Sequence, residues 1–228
     1  MAKRQFFIAG TDTDVGKTVI TAGILEKANQ HGLRTIGLKP VAAGCELIDG
    51  QLRNSDALLI QETASVPLSY DEVNPVALTL AIAPHIAAEK EERKLSADRL
   101  AALCRGAMMH PADLLLIEGA GGWRVPLNRT ETLAKVPVLL EVPVILVVGV
   151  KLGCINHALL SVEAIRRDGL PLAGWVANRI DGDMGEYEEN VATLRSLLPA
   201  PLLGEVPRLA DPSPATVAKF VEITGLLE

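Results

Sequence analysis

Short apolar runs recur along the chain, and each is followed by Gly or Pro and then by a stretch with helical spacing of apolar positions. The six runs are FFIAG (6–10), RTIGLKP (34–40), DLLLIEG (113–119), VPVILVVGV (142–150), LAGWVAN (172–178) and PLLGEVP (201–207). Continuous apolar runs of this kind are typical of strands that are buried on both faces of a parallel sheet. The pattern therefore predicts six parallel strands joined by helical crossovers.

The stretches between these runs predict the helices. Helical spacing is found at 16–31, 55–65, 95–109, 131–141, 156–168, 186–198 and 213–227. Alternation of strands and helices predicts an α/β fold with a mostly parallel central sheet and helices on both faces. No repeat or linker divides the chain, so we expect a single domain over residues 1–228. The charge-dense segment 87–95 is interpreted as a solvated loop or helix end.

Composition narrows the possible partners. The 228 residues are 49% hydrophobic, with 3% aromatic residues, so the core must consist mainly of aliphatic side chains. The net charge is −6, and no Lys/Arg cluster is present, which argues against a nucleic-acid partner. The apolar segment 136–150 is shorter than a bilayer span and contains Glu141, Pro137 and Pro143, so we expect a buried element and no membrane partner.

The N-terminus and the cysteines indicate the cellular compartment in which the protein is expected. The segment MAKRQFFIAG is too short for a signal peptide and is interpreted as the first strand. Three cysteines without a CxxC pair argue against a disulfide framework or a structural zinc site. A reducing cytoplasm is the predicted location. The four histidines are scattered, and none is assigned a chemical role.

The segment GTDTDVGKT (10–18) has the features of a phosphate-binding loop. The usual spacing is G-x-x-x-x-G-K-[ST], whereas five residues separate Gly10 from Gly16 here. In such loops, successive N–H groups and the helix dipole surround the phosphates. Lys17 would contact the terminal phosphates, and Thr18 would bind Mg²⁺. An ordinary strand-to-helix turn is the alternative, but the order of strand, loop and helix favours a nucleotide site.

Charged residues also follow or lie near other strand ends, where ligands bind in α/β folds. Glu118 ends the third run, and its burial predicts either a metal ligand or a salt bridge. Asp56 is either a second metal ligand or a residue that the helix dipole favours in a first turn. Lys39 lies at the end of the second strand, where an isolated lysine is more often a surface charge. It is a candidate because it would project into the same crevice as Lys17.

Two further groups lie after the fourth and fifth strands. The N–H groups of Gly153, Cys154 and Ile155, at the start of a helix, could form a second anion site. Asn178 and Arg179 are candidates for contacts to a nucleotide base, with simple turn chemistry as the alternative.

The chain resembles the dethiobiotin synthetase family over nearly its whole length. The segments that carry the resemblance are GTDTDVGKT, KPVAAGCE, LRNSDAL, NP at 74 and 75, APHIAA, LIEGAGGWRVPL, VPVILVVGVKLGCINHALL, LAGWVANR and PAPLLGEVPRL. The lengthened loop is a family trait. The resemblance implies a homodimeric, Mg²⁺-dependent enzyme that uses ATP to convert 7,8-diaminononanoate and CO₂ (or bicarbonate) to dethiobiotin, ADP and phosphate.

The resemblance also implies roles for individual residues. Lys17 and Lys39 would be catalytic, and Thr18, Asp56 and Glu118 would bind Mg²⁺. The positions implied for the nucleotide and its metal are Asp14, Val15, Gly16, Lys17, Thr18, Val19, Asp56, Glu118, Gly119, Ala120, Gly121, Asn178, Arg179, Pro207, Arg208 and Leu209. The positions implied for the substrate are Thr13, Lys39 and Ala43, together with Gly153, Cys154 and Ile155 of the partner subunit.

Three departures from the family pattern are visible. Ala43 occupies a position that is commonly Ser or Thr, so we expect weaker substrate binding with the chemistry retained. Lys135 and Pro137 lie in a segment that is usually helical, so that helix is expected to start late or kink. The segment DGDMGEYEEN (181–190) does not align clearly, and no substrate contact can be assigned to Tyr187.

Two other classes of phosphate-loop protein are alternatives. A cobyrinate-type amidotransferase would need a glutaminase domain, for which the chain has no room. A partitioning or switch ATPase uses an additional lysine near the start of the loop and often a membrane-binding or DNA-binding surface. The loop here begins Gly10-Thr11-Asp12, without such a lysine and without a basic or amphipathic tail.

Overall fold

The computed structural model describes residues 3–182 and 184–227. The strands are β1 (Arg4–Gly10), β2 (Thr35–Leu38), β3 (Val41–Ala42), β4 (Glu46–Ile48), β5 (Gln51–Arg53), β6 (Val76–Ala77), β7 (Leu114–Glu118), β8 (Val144–Val150), β9 (Leu172–Arg179) and β10 (Leu202–Val206). The helices are α1 (Lys17–Gln30), α2 (Ser55–Thr63), α3 (Tyr70–Val73), α4 (Pro84–Lys90), α5 (Ala97–Ala107), α6 (Lys135–Leu140), α7 (Cys154–Arg167), α8 (Tyr187–Leu197), α9 (Pro214–Val217) and α10 (Thr224–Leu227), with a 3₁₀ turn at Ala218–Phe220. The predicted single domain, 1–228, includes residues 1, 2, 183 and 228, which lie outside the described residues.

The central sheet has six strands within the described residues, in the order β10-β9-β8-β1-β7-β2. All neighbouring strands pair in parallel, and each corresponds to one of the six apolar runs. The predicted strands and fold class are therefore confirmed. Because β1 lies between β8 and β7, the loop that follows β1 is flanked by the carboxyl ends of both neighbours, where ligands bind in such folds.

The helix boundaries differ most from the predictions at α6 and in the segment 213–227. Helix α6 begins at Lys135 rather than at 131, which agrees with the expectation that this helix starts late. Pro137 thereby lies in the first turn, where its missing N–H is not needed. The single helix predicted over 213–227 is wrong. Val221 is extended and forms an isolated bridge with Gly204, which separates α9 and its 3₁₀ turn from α10.

Two small sheets and two short helices were not predicted. The β4–β5 hairpin turns at Asp49-Gly50, and both residues have positive φ, 50° and 76°. Asp-Gly is a favoured two-residue hairpin turn, so the signal was present in the sequence. Strands β3 and β6 form a two-residue parallel pair, and α3 and α4 lie in the segment between α2 and α5.

The core is mainly aliphatic, as composition predicts, with Trp175 as its largest fully buried side chain. The apolar segment 136–150 forms most of α6 and all of β8; β8 is fully buried, whereas α6 is partly buried and Glu141 is exposed. Within the described residues, the helices are too short or too polar to cross a membrane. Cys45, Cys104 and Cys154 are buried free thiols.

The last turn of the chain provides a pH-dependent contact. The carboxylate of Glu222 accepts hydrogen bonds from the N–H of Ile223 (2.8 Å) and from the N–H (2.9 Å) and hydroxyl (2.7 Å) of Thr224. The hydroxyl contact and the two backbone contacts lower the pKa of Glu222 to about 2. The ionised form is therefore favoured in the folded state.

We predict that Glu222→Gln lowers the free energy of unfolding at neutral pH. The expected loss is about 1 kcal/mol, because this exposed carboxylate is screened by solvent. Since the folded pKa is depressed, its contribution is complete above the unfolded pKa, near 4.5, and is lost as the pH falls through about 2. Urea denaturation of both proteins at pH 7 and near pH 3 measures the difference. A difference that does not shrink at the lower pH would contradict the prediction.

Candidate active site

The loop between β1 and α1 is shaped by two residues with left-handed backbone geometry. Asp14 has φ 57°, and Gly16 has φ 86°. The side-chain amide of Asn178, at the end of β9, donates to the carbonyl of Val15 (2.9 Å). A Cβ at position 16 would lie 2.2 Å from Nδ2 of Asn178, so the absence of a side chain at Gly16 permits this contact. Asn178 therefore supports the loop, and its predicted contact with a nucleotide base stays a prediction.

Lys17 begins α1 and is 7% exposed. Its ammonium donates to the backbone carbonyl of Asp12 (2.9 Å), so it folds back over the loop. Burial, and next the positive charge of Lys39, lower the pKa of Lys17 to about 8. Its hydrogen-bond partner is uncharged, and an anion in the loop would supply the missing countercharge.

A charge cluster lies beside the loop, with Lys39 and Glu118 buried and the Asp56 side chain partly exposed. Lys39 Nζ contacts Glu118 Oε1 (2.5 Å) and Asp56 Oδ2 (2.9 Å), and the Thr18 hydroxyl donates to the same Glu118 oxygen (2.8 Å). Glu118 is fully buried, and Lys39 is 5% exposed. Burial alone would lower the pKa of Lys39, but the Glu118 and Asp56 carboxylates raise it above its usual value. Lys39 therefore stays protonated at the base of the site.

The strands and helices bring these four residues together from distant parts of the chain. Glu118 ends β7 and pairs with Ile8 of β1, two residues before the loop. Lys39 follows β2, the other neighbour of β7. Asp56 lies in the first turn of α2, as expected. The sequence predicted Lys39 in the same crevice as Lys17, and the resemblance grouped Thr18, Asp56 and Glu118 around Mg²⁺. The structure brings these four side chains into one cluster of direct contacts.

The oxygen atoms of this cluster fit a magnesium ion. Thr18, Asp56 and Glu118 supply hydroxyl and carboxylate oxygens, which are the ligand types that Mg²⁺ prefers. Glu118 Oε2 is buried and has no hydrogen-bond partner among the described residues, although a buried carboxylate oxygen normally has one. The described residues contain no group of three His, Cys, Asp or Glu side chains suited to a metal, so the fit depends on the Thr18 hydroxyl. The salt bridge considered for Glu118 is present, and metal coordination stays a prediction.

A cavity of about 880 Å³ opens above the cluster. Its lining combines the loop, the members of the charge cluster other than Glu118, and an apolar wall: Thr13, Asp14, Gly16, Lys17, Thr18, Val19, Lys39, Ala42, Ala43, Asn54, Asp56, Ala81, Ile82, Ala83, Pro84, Ala120, Gly121, Arg124, Val125 and Pro126. The lining includes predicted positions from the ends of β1, β2 and β7. The polar side joined to an apolar wall can accommodate an anionic group together with an aliphatic one.

Several predicted positions lie outside the lining of this cavity. Gly119, after β7, donates its N–H to the Ile8 carbonyl (3.0 Å). The guanidinium of Arg179 lies 4.8 Å from the ring centre of Tyr187 and contacts the carbonyls of Gly182 and Met184. These contacts organise the segment after β9. Pro207, Arg208 and Leu209 follow β10, at the same end of the sheet.

The predicted anion site at the start of α7 also lies outside this cavity. Gly153 has φ 91° and precedes the helix, which begins at Cys154 rather than at 156. The N–H of Cys154 donates to the carbonyl of Lys151 (2.9 Å), so it is engaged within its own turn. The prediction therefore depends chiefly on the N–H groups of the other two residues, Gly153 and Ile155.

Two polar residues of the cavity were missed. Asn54 caps α2 by accepting from the N–H of Ala57 (3.2 Å), and its position before Ser55 and Asp56 is a recognisable helix start. Arg124 is anchored by a bidentate contact with Asp168 (2.6 and 2.9 Å). No local sequence signal indicates that contact, because the partners are 44 residues apart.

Comparisons with known proteins identify relatives of the whole chain. A family model described as "AAA domain" matches residues 4–216. A protein of Cellvibrio japonicus strain Ueda107, named "ATP-dependent dethiobiotin synthetase BioD", is 59% identical over 228 residues, all of both chains. A protein of the same name from Marinobacter nauticus is 51% identical, again over the full length of both. These relatives confirm the family that the sequence resembles.

A solved structure confirms the fold. The cobyrinic acid a,c-diamide synthase of Mycobacterium smegmatis, solved with bound ADP and magnesium, has a TM-score of 0.60 to this chain. The match covers 95% of this chain and 92% of that one, at 14% sequence identity. At this identity the likeness is one of fold, and it agrees with the predicted phosphate-loop architecture.

The contact between Asn178 and the loop leads to a prediction about stability. We expect Gly16→Ala to lower the free energy of unfolding by about 1–3 kcal/mol, because the new Cβ is both at positive φ and in contact with Asn178. Gly32→Ala is the matched control, since Gly32 has φ 75° and no heavy atom lies within 4 Å of its added Cβ. The control reports the cost of the backbone geometry alone.

A double-mutant cycle isolates the steric part. In an Asn178→Ala background, Gly16→Ala should cost about as much as Gly32→Ala, because the clash has been removed. Denaturant unfolding of the four proteins and the control gives the values. Equal costs of Gly16→Ala in both backgrounds would show that Asn178 does not restrict the loop.

Proposed function

Because the chain belongs to the family of ATP-dependent dethiobiotin synthetases, we propose that it is itself a ligase that uses ATP to form dethiobiotin from 7,8-diaminononanoate and CO₂. The observation that carries the proposal is the juxtaposition of the loop lysine, Lys17, with the charge cluster of Lys39, Asp56 and Glu118. Both open into a single cavity with an apolar wall, which suits a triphosphate on one side and an aliphatic diamine on the other.

The proposed reaction has three steps. One amine of the diamine adds to CO₂ and loses a proton, which gives a carbamate. A carbamate oxygen attacks the γ-phosphorus of ATP, and ADP leaves. The neighbouring amine then attacks the carbonyl carbon of this carbamic-phosphoric anhydride, which closes the ureido ring and expels phosphate. Such a sequence needs positioned charges rather than a protein nucleophile.

The two lysines would act on different charges. Lys17 would hold the terminal phosphate and stabilise its transfer. Its charge is available for this role, because its hydrogen-bond partner is the uncharged backbone carbonyl of Asp12. Lys39 would neutralise the carbamate, and its raised pKa keeps it cationic. Thr18, Asp56 and Glu118 would hold the magnesium ion, which when bound neutralises the developing charge on the phosphates.

The remaining predicted contacts complete the proposal. Thr13, Asp14 and Ala43 line the cavity and would face the substrates. The start of α7 would bind the carboxylate of substrate held by a partner subunit in a homodimer. Leu152, next to Gly153, and Leu160, within α7, support that arrangement, because these apolar side chains are 89% and 55% exposed. A cytoplasmic location stays a prediction.

The proposal is tested by measuring phosphate release from ATP and Mg²⁺ with bicarbonate, with and without 7,8-diaminononanoate, alongside mass detection of dethiobiotin. Release that requires the diamine is expected. Lys17→Met should lower kcat by about 10²–10³-fold, because the variant lacks a donor that stabilises negative charge in the transition state. This variant should fold, because Lys17 has no carboxylate partner among the described residues and its burial disfavours the charge.

Lys90→Met, an exposed substitution at the end of α4, is the matched control and should keep full activity. Phosphate release that is indifferent to the diamine would overturn the substrate assignment and favour a switch ATPase.

A second prediction concerns Ala43. A serine hydroxyl at this position could donate a hydrogen bond into the cavity, where Ala43 offers none. We expect Ala43→Ser to lower the KM for the diamine several-fold with little change in kcat, in line with about 1 kcal/mol for one hydrogen bond. Steady-state kinetics at saturating ATP measure both constants. An unchanged KM would show that this position does not contact the substrate.

A further inference from the structure

A buried hydrogen-bond network lies behind Lys39. The side-chain amide of Asn74 donates to the backbone carbonyl of Lys39 (2.6 Å), and the Lys39 N–H donates to the carbonyl of Val73 (2.8 Å). The hydroxyl of Tyr70 in turn donates to Asn74 Oδ1 (3.0 Å). Both backbone polar groups of Lys39 are therefore held by residues of α3 and the position after it.

The same hydroxyl reaches the helix that carries Asp56. Tyr70 Oη accepts a hydrogen bond from the backbone N–H of Asn54 (2.8 Å), the residue that caps α2. One phenol thus connects the support of Lys39 to the start of α2. The side chains of Lys39 and Asp56 meet at 2.9 Å on the cavity side, so the network closes a ring around the charge cluster.

The network is shielded from solvent. Tyr70, Asn74 and Asn54 are 7%, 2% and 7% exposed, and the Arg53 guanidinium lies 4.1 Å from the centre of the Tyr70 ring. The hydroxyl uses both its donor and its acceptor capacity. Its removal would leave the Asn54 N–H and the Asn74 carbonyl oxygen without this partner, and unpaired buried groups drive local rearrangement.

We propose that Tyr70 and Asn74 are positioning residues that fix Lys39 relative to Asp56. They touch neither the cavity nor the loop, and they act through the backbone of Lys39 and the first turn of α2. Tyr70 and Asn74 thereby fix the distance between Lys39, which would neutralise the carbamate, and Asp56, one of the carboxylates that would hold magnesium. The inference rests on the proposed function for its kinetic consequences.

The test variant is Tyr70→Phe, which removes only the hydroxyl. We expect kcat to fall by about 10–100-fold, as for other residues that orient a metal site through its ligands, and the Mg²⁺ concentration for half-maximal rate to rise. The KM for ATP should change little, because Lys17 and its loop lie outside the network. Asn74→Leu, which removes the contact with Lys39, should show the same split between kcat and KM.

Thr35→Val is the matched control. Thr35 is fully buried, and its hydroxyl contacts Asn29 Oδ1 (2.7 Å) at the start of β2, the strand that leads to Lys39. The Thr35→Val variant therefore loses a buried hydroxyl on the same strand without a change in the hydrogen-bond network behind Lys39. The control should lose stability to a similar degree, measured by urea unfolding, and keep kcat and the Mg²⁺ dependence.

A binding measurement separates this inference from the proposed function. Calorimetry with a non-hydrolysable ATP analogue, with Mg²⁺ and with EDTA, gives the gain in affinity due to the metal without any reaction. Tyr70→Phe should reduce that gain, and Thr35→Val should not. If the native protein releases no diamine-dependent phosphate, the proposed function fails, but this comparison still tests the positioning role. Equal kinetics and equal metal-dependent gains in Tyr70→Phe and Thr35→Val would overturn the inference.

Discussion

The buried ion pair between Lys39 and Glu118, 2.5 Å apart, is the interaction on which the candidate site depends. A fully buried carboxylate is costly unless it is paired and hydrogen-bonded, and Glu118 lies at the end of a strand whose other residues are apolar. The parallel order β1-β7-β2 brings the two residues together from positions 79 residues apart. The sheet topology and the chemistry of the site are thus linked, since a different strand order would separate Lys39 from Glu118 and leave this buried carboxylate without its cation.

The two lysines of the site differ in how their charge is balanced. Lys39 contacts two carboxylates, so its charge is neutralised within the protein. In the part of the chain that the structure describes, the Lys17 ammonium donates only to a backbone carbonyl, and burial lowers its pKa to about 8. An anion that entered the loop would recover part of the energy that burial of Lys17 costs, because an opposite charge favours the ionised form. The fold therefore separates a cation that organises the site from a cation that attracts a ligand.

The sequence predicted what local patterns and strand burial determine. All six central strands were found, because residues buried on both faces of a sheet form continuous apolar runs, and strand ends then located Lys39 and Glu118. Contacts between distant residues could not be predicted. The support of the loop by Asn178 and the network of Tyr70 and Asn74 depend on tertiary packing that no spacing reveals. The break at Val221 was missed for the same reason, since its bridge to Gly204 competes with helical propensity.

The lengthened loop shows how an extra residue is accommodated next to a rigid site. Strand β1 ends at Gly10, and the following N–H, of Thr11, still bonds to β8 through the Val147 carbonyl (3.0 Å). The Asp12 side chain accepts from the N–H of Thr13 (2.8 Å) and pairs with Lys151 (3.3 Å), so the added length is fastened to the turn after β8. Left-handed geometry at the next positions then returns the chain to α1. The lysine of the loop, Lys17, is consequently the first residue of α1.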